Sequence, residues 1–279
     1  MSTSTHRPRT SAKGRPRTSR PTAPARRTVP LWLITVAALL AATAIAAAVL
    51  LSGTRPSRPA TPPAPPAPPL TAVAATIDGQ DIPVRELALY LVQERAATFT
   101  HFRQKYGAED GPDFWTTEHD GQTPAAYLRE RALADVTRTT VELTLAHRQG
   151  LLADSGYDAF LRNWQTENAR RLKAVTAHQV IYGPVQYTES NYFTYVLSNL
   201  AAALQNKLTE TRAITTSDDA LRTYFTAHPG DFPHQSFTTA HDSVHQSYVL
   251  DRYRALIERL AGSAQVRVDR AVFDAVPVD

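Results

Sequence analysis

Residues 29–51 form an uncharged run dominated by Ala, Leu, Ile and Val, and no other feature constrains this chain as much. As a helix its 23 residues would be about 34 Å long, enough to cross a bilayer core of about 30 Å. Arg7, Arg9, Lys13, Arg15, Arg17, Arg20, Arg26 and Arg27 precede it with no Asp or Glu among them, and only Arg55 and Arg58 closely follow. The positive-inside rule then predicts a cytoplasmic N-terminus and a single-pass anchor in the cell membrane, with everything after Leu51 extracytoplasmic. A cleaved secretory signal would have a shorter apolar region, roughly 7 to 15 residues. The abundant small residues, Ala48 and Ala60 among them, leave cleavage open as the alternative. The chain has no Cys, so neither a lipidated cysteine nor a disulfide is possible, and an external domain must be held by its core alone.

The net charge of +4 joins two unlike parts. Ten of the 30 Lys and Arg lie within residues 1–58, where there is no carboxylate; the other 20 face all 26 Asp and Glu, so the remainder is acidic at −6. Residues 1–28, rich in Arg, Pro, Ser and Thr, read as a disordered basic cytoplasmic tail that sets topology. Contact of that tail with anionic lipid or nucleic acid is its alternative role, whereas the acidic remainder argues against nucleic acid as a partner. Residues 52–71 hold Pro56, Pro59, Pro62, Pro63, Pro65, Pro66, Pro68 and Pro69. They predict an extended polyproline linker reaching about 50 Å from the membrane at about 3.1 Å per residue.

Residues 72–279 then suffice for one domain. Ala74-Ala75-Thr76-Ile77 reads as a strand and Asp78-Gly79 as a tight turn. Pro83 opens a first helix in which Val84, Ala88, Leu91, Phe99, Phe102 and Tyr106 recur at helical spacing until Gly107. Thr123 and Pro124 open a second helix, with Leu128, Ala132, Val136, Leu143 and Ala146 inward and Gly150 as its stop. Asp154 or Ser155 caps a third, reaching about Thr176, and Tyr182-Gly183-Pro184 breaks the chain. A fourth runs from about Thr188 to Glu210, burying Tyr192, Tyr195, Val196, Leu200, Ala203 and Leu204. Ser217 with Asp218 and Asp219 begins a fifth, the acids suiting its positive end, and a sixth covers about residues 242–261. Alternation in Ala264-Gln265-Val266-Arg267-Val268 predicts a closing strand that pairs with residues 74–77. The expected fold is mainly α, with one small two-stranded sheet joining the chain ends.

These elements together resemble the N-terminal helical module of the SurA/PrsA-type extracytoplasmic chaperones. Ala74-Ala75-Thr76-Ile77-Asp78-Gly79-Gln80-Asp81-Ile82 resembles the family's opening strand, turn and helix start. Leu143-Thr144-Leu145-Ala146-His147-Arg148-Gln149-Gly150-Leu151 is similar to its Leu-x-x-Ala-x-x-x-Gly-Leu helix end. Thr216-Ser217-Asp218-Asp219-Ala220-Leu221-Arg222-Thr223-Tyr224-Phe225 followed by Asp231-Phe232 resembles its capped helix, and residues 264–269 its closing strand. The likeness spans most of residues 72–270. Family members often insert a parvulin prolyl-isomerase domain after the Phe232 region, and the few residues between Phe232 and His241 leave no room for one. The resemblance therefore implies a chaperone module without the isomerase, acting on unfolded or exported polypeptides.

Such a module needs exposed apolar surface rather than a catalytic constellation. The candidate client-binding residues are Phe99, Phe102, Tyr106, Phe114 and Trp115 around the first long loop, and Tyr187, Tyr192 and Tyr195 beyond the Gly-Pro break; core packing is the competing expectation for the helix-spaced ones. The acidic loop residues Glu109, Asp110, Asp113, Glu118 and Asp120 read as solvated, or as bait for basic clients. His241 and His245 have His-x-x-x-His spacing, but Asp242 stands where a zinc protease needs Glu to activate the metal-bound water. No Gly-x-Ser-x-Gly, phosphate loop or dinucleotide fingerprint occurs. No catalytic residue, metal or cofactor is predicted. The expected function is a membrane-anchored, non-catalytic chaperone or holdase; the alternatives are an interaction ectodomain in envelope assembly and a divergent peptidyl-prolyl isomerase.

Overall fold

The turn at Asp78-Gly79 organises the start of the domain. Both residues have positive φ, 49° and 86°, which is the two-residue turn whose twist matches that of the flanking strands. The computed structural model describes residues 66–278, which lie within one unit, Ala64–Asp279. The predicted tail, anchor and most of the linker lie outside the described residues. Among the described residues no helix is long and apolar enough to cross a membrane.

Strand β1 (Val73–Ile77) pairs antiparallel with β2 (Gln80–Pro83) across that turn, and on its other edge with β3 (Val266–Val268), giving the order β2-β1-β3. The expected pairing of the chain ends is present, with Ala75 opposite Val268 and Ile77 opposite Val266. The sheet nevertheless has three strands, not two. The hairpin folds Gln80–Pro83 back along β1 so that Ile82, opposite Ala75, is buried in the same core as Ile77. Asp78 then ties the turn to the C-terminal strand: its N–H donates to Gln265 O at 3.0 Å, and its Oδ1 accepts from Gln265 N–H at 2.7 Å. The last residues of the Pro-rich segment are also held, because Arg85 N–H donates to Leu70 O and Val84 N–H to Ala72 O.

Six long helices follow: α1 (Val84–Tyr106), α2 (Pro124–Arg148), α3 (Tyr157–Thr176), α4 (Glu189–Glu210), α5 (Asp218–Ala227) and α6 (Phe237–Ser263), with β3 and a last turn, α7 (Arg270–Phe273), closing the chain. Their starts follow local chemistry. Thr123, Thr188, Ser217 and Ser236 each accept a bond from the backbone N–H three residues on, filling donors that a helix start leaves orphaned. Gly107 ends α1 at φ 67°, a conformation other residues adopt only with strain. Helix α3 starts one or two residues later than expected, with Gly156 as its cap; Asp154 Oδ1 accepts from Gly156 N–H instead. Helix α6 starts at Phe237 rather than near Asp242, because Ser236 supplies the cap.

Two apolar cores share the long helices. The first joins the sheet and the N-terminal halves of α1 and α2 (Leu87, Leu91, Leu128, Val136) with Phe193, Phe273 and Val276. The second joins the C-terminal ends of α2 and α4 with α5 and α6 through Leu204, Leu208, Leu221, Phe232, Val244 and Ile257. Arg129 clamps the C-terminal tail by donating from Nε and Nη2 to Val276 O at 3.0 and 2.7 Å. On α4 the buried face is Tyr192, Phe193, Leu200, Leu204 and Leu208. Tyr195, expected inside, lies three residues from Tyr192 on the outer flank of this stripe and is 50 % exposed.

Candidate binding surface

Helix α3 is unusual in how little it buries. Of its 20 residues only Tyr157, Ala159, Arg171 and Ala174 are buried, and it packs chiefly on α4. What it does instead is hold the connection to α4, residues 177–188. Arg171 is the main staple. Its Nη1 donates to Tyr182 O at 2.9 Å and Pro184 O at 2.7 Å, its Nη2 to Tyr187 Oη at 3.1 Å, and its Nε to Glu167 Oε1 at 2.8 Å. The guanidinium also lies 4.5 Å from the centre of the Tyr187 ring, a favourable cation–π distance. Asn168 holds the Tyr187 backbone from both sides, Nδ2 donating to its carbonyl and Oδ1 accepting from its N–H, and Trp164 Nε1 donates to the same carbonyl.

A connection held this firmly presents its apolar side chains instead of burying them. Ten large hydrophobics are exposed among the described residues, and six fall within residues 172–195: Leu172, Val175, Val180, Tyr182, Val185 and Tyr195. Val180 and Tyr182 are the most open, at 81 % and 86 %. Hydrophobic residues scattered singly over a surface are ordinary, but a grouped set marks contact with another molecule. The surrounding charge is mixed. Glu167 is held below the usual carboxylate range by its hydrogen bonds to Arg170 and Arg171. At the start of α4, Arg85 pairs with Glu189 at 2.5 Å and Tyr157 donates its phenol to the same carboxylate. The hydrogen bond to Glu189 raises the Arg85 pKa further, and burial followed by that bond raises the Tyr157 pKa.

The eight aromatics singled out in the sequence fall into two groups. Tyr187, Tyr192 and Tyr195 come together, with ring centres 5.5 to 6.3 Å apart. Tyr192 is buried beneath, and burial raises its pKa; Tyr195 is open and Tyr187 half-buried. Phe99, Phe102, Tyr106, Phe114 and Trp115 gather elsewhere, where the end of α1 meets the following loop and the start of α2. Phe102 and Phe114 are 1 % and 5 % exposed; Phe102 packs edge-on to Phe114, His119 and Tyr127. Phe99 and Tyr106 are half-buried, and Arg95 covers the Trp115 ring at 4.9 Å. This group is chiefly packing: the loop folds back and places Phe114 under α1.

Val180, Tyr182 and Val185 escaped the sequence reading, although Val180-Ile181-Tyr182 next to Gly183-Pro184 is an apolar triplet at a chain break. The His pair sits inside α6, not at its start. His241 Nε2 lies 3.6 Å from Asp218 and its Nδ1 3.4 Å from Asp242. Among the described residues no group of three or more His, Asp or Glu is gathered as for a metal ion.

The chain is 26% identical over 147 residues to a protein of Bifidobacterium longum subsp. longum named as a chaperone for lacto-N-biosidase. The match covers 52% of this chain and 51% of that protein, so it spans about half the length of the curated relative. It supports a chaperone-type relationship, with a client polypeptide as the kind of partner. No protein-family model matches the chain, and no solved structure matches it.

Proposed function

We propose that the protein is a membrane-anchored, non-catalytic chaperone that holds an exported polypeptide on the extracytoplasmic side, with the 177–188 connection and Tyr195 as its contact surface. The observation that carries this reading is that six exposed hydrophobics fall within residues 172–195, three of them (Val180, Tyr182 and Val185) on the connection stapled by the buried Arg171 and three (Leu172, Val175 and Tyr195) on the helices that flank it. Apolar side chains offered on a pre-ordered backbone bind with little ordering entropy to lose. The similarity to a protein named for one enzyme supports a dedicated client over a broad holdase. Residues 29–51 serve as the tether and the Pro-rich linker as the spacer, so the domain meets chains emerging from export. Only Pro233–Ser236, four residues, separate Phe232 from α6, which disfavours the isomerase alternative.

The test is aggregation of an unfolded exported enzyme, with and without the full chain in detergent. Suppression by the wild type, lost in the Val180→Ser/Tyr182→Ser double variant with its thermal transition unchanged, is the expected result. If aggregation is untouched while the chain binds one folded partner, the chaperone reading fails and the interaction ectodomain stands. Turnover of a proline peptide above background would establish the isomerase reading.

A further inference from the structure

Glu86 belongs to the first turn of α1, where an acidic residue ordinarily points to solvent to complement the helix dipole. Here its side chain is inside: it is 1 % exposed, and Oε2 has no hydrogen-bond partner. The residue forms part of the wall of a cavity of about 60 Å³ bounded by α1, α2, the α2–α3 connection, α3 and α4. By the measure that allots a water roughly 15 Å³, there is room for about four water-sized groups. The rings of Tyr157, Phe160, Tyr192 and Phe193 make much of the remaining wall, with Phe160 5.4 to 5.6 Å from each of the others. Aliphatic side chains of α2 and α4 back them, and Asp154 and Asn163, both exposed, mark the outer rim. No Lys, Arg or His lines the cavity.

This combination selects among ligands. A buried carboxyl oxygen without a donor is costly to leave unpaired. A hydrocarbon would leave it so. An anion would meet Glu86 inside and Asp154 at the rim. A cation with N–H donors on a short aliphatic stem satisfies the carboxylate, gains from the aromatic quadrupoles and keeps its stem against apolar wall. We propose that the Glu86 cavity is a binding site for an alkylammonium group, supplied either by a lysine side chain of a polypeptide or by a free small amine. The ionisable groups around Glu86 are Tyr90 on α1, Tyr157 on α3, Tyr192 on α4 and Asp154 on the connection, so no protein cation already neutralises it. Glu189 is occupied by Arg85 and Tyr157. Burial pushes the Glu86 carboxyl up to about 8, so an incoming ammonium displaces a proton at neutral pH.

The experiment is calorimetric titration of the full chain in detergent with n-butylammonium chloride. Binding that tightens about tenfold from pH 6 to pH 7 is expected, as is at least tenfold weaker binding by Glu86→Gln. n-Butanol, matched in size but uncharged, is expected not to compete. Repeating the wild-type titration at pH 7 in two buffers of different ionisation enthalpy reads close to one proton released per amine, which keeps the test alive should the variant fold poorly. Absence of binding, equal binding by Glu86→Gln or by butanol, or binding without proton release each overturns the proposal. A blocked Ala-Lys-Ala peptide that competes with butylammonium identifies a polypeptide lysine as the source; butylammonium binding without peptide competition identifies a free amine. The Val180→Ser/Tyr182→Ser variant is expected to bind butylammonium like the wild type, so failure of the client surface and failure of this site are separable.

Discussion

Replacing Glu86 by Gln should change how stability depends on pH more than it changes the fold. The amide keeps the side chain's volume and removes its titration. In the folded chain burial moves the carboxyl from 4.5 to about 8. Above 4.5 the unfolded chain sheds the proton while the folded chain keeps it. Stability is therefore fully present at low pH and is lost as pH rises through this window. At about 1.4 kcal/mol per pH unit the full loss is about 5 kcal/mol, and the part between pH 5 and pH 7 is about 2.5 kcal/mol. Burial also raises Asp135 and Glu142, which act in the same direction in both proteins and cancel in the difference. The assay is urea unfolding of full-length wild type and Glu86→Gln in detergent at pH 5, 6, 7 and 8, followed by circular dichroism. The variant should overtake the wild type progressively as pH rises, with equal m-values. Parallel stability curves would show that Glu86 is neither desolvated nor shifted, and the reasoning from its burial would fall.

Arg171→Met should loosen the α3–α4 connection without unfolding the domain. With bonds from a charged donor worth about 1.5–3 kcal/mol each, the Tyr187 amide should exchange at least tenfold faster by hydrogen–deuterium exchange while the main thermal transition moves little. Phe273→Ala empties a site that is 1 % exposed in the first core; a loss of about 3–5 kcal/mol in urea unfolding is expected, and a neutral result would mean that α7 does not seal that core. Asp78→Ala removes the acceptor for Gln265 N–H and places Ala at positive φ, at a cost of about 1–3 kcal/mol. Asp78→Asn, which keeps an acceptor and tolerates that φ, should stay within about 0.5 kcal/mol of wild type by the same measurement.

Local chemistry reads well from a sequence because its cause lies within a few residues. Thr123-Pro124, Thr188, Ser217 and Gly107 mark helix ends through bonds or φ values confined to one turn. The alternation in residues 264–268 foretold β3 and its partner. Periodicity says which residues share a face, but not what covers it. Phe102 and Tyr195 are alike in type and pattern, yet the loop bearing Phe114 folds over Phe102, while Tyr195 meets Tyr187 and Tyr192 on one side and stays half open. Likewise β2 is not legible in the sequence, because Gln80-Asp81-Ile82, between the tight turn and the helix that Pro83 opens, becomes a strand only once the hairpin turns Ile82 inward opposite Ala75.

The sequence by itself determined the helical class of the domain, the caps at Thr123, Thr188 and Ser217, the tight turn, the pairing of the chain ends and the division of charge between residues 1–58 and the rest. Each follows from spacing, backbone stereochemistry or a sum of charges. Tertiary structure alone decided that Arg171 serves the connection rather than solvent, that Val180 and Tyr182 stay open, and that Glu86 lies unpaired in an aromatic cavity. These depend on which helices meet, and burial is a property of the neighbours a residue acquires, not of the residue or its spacing.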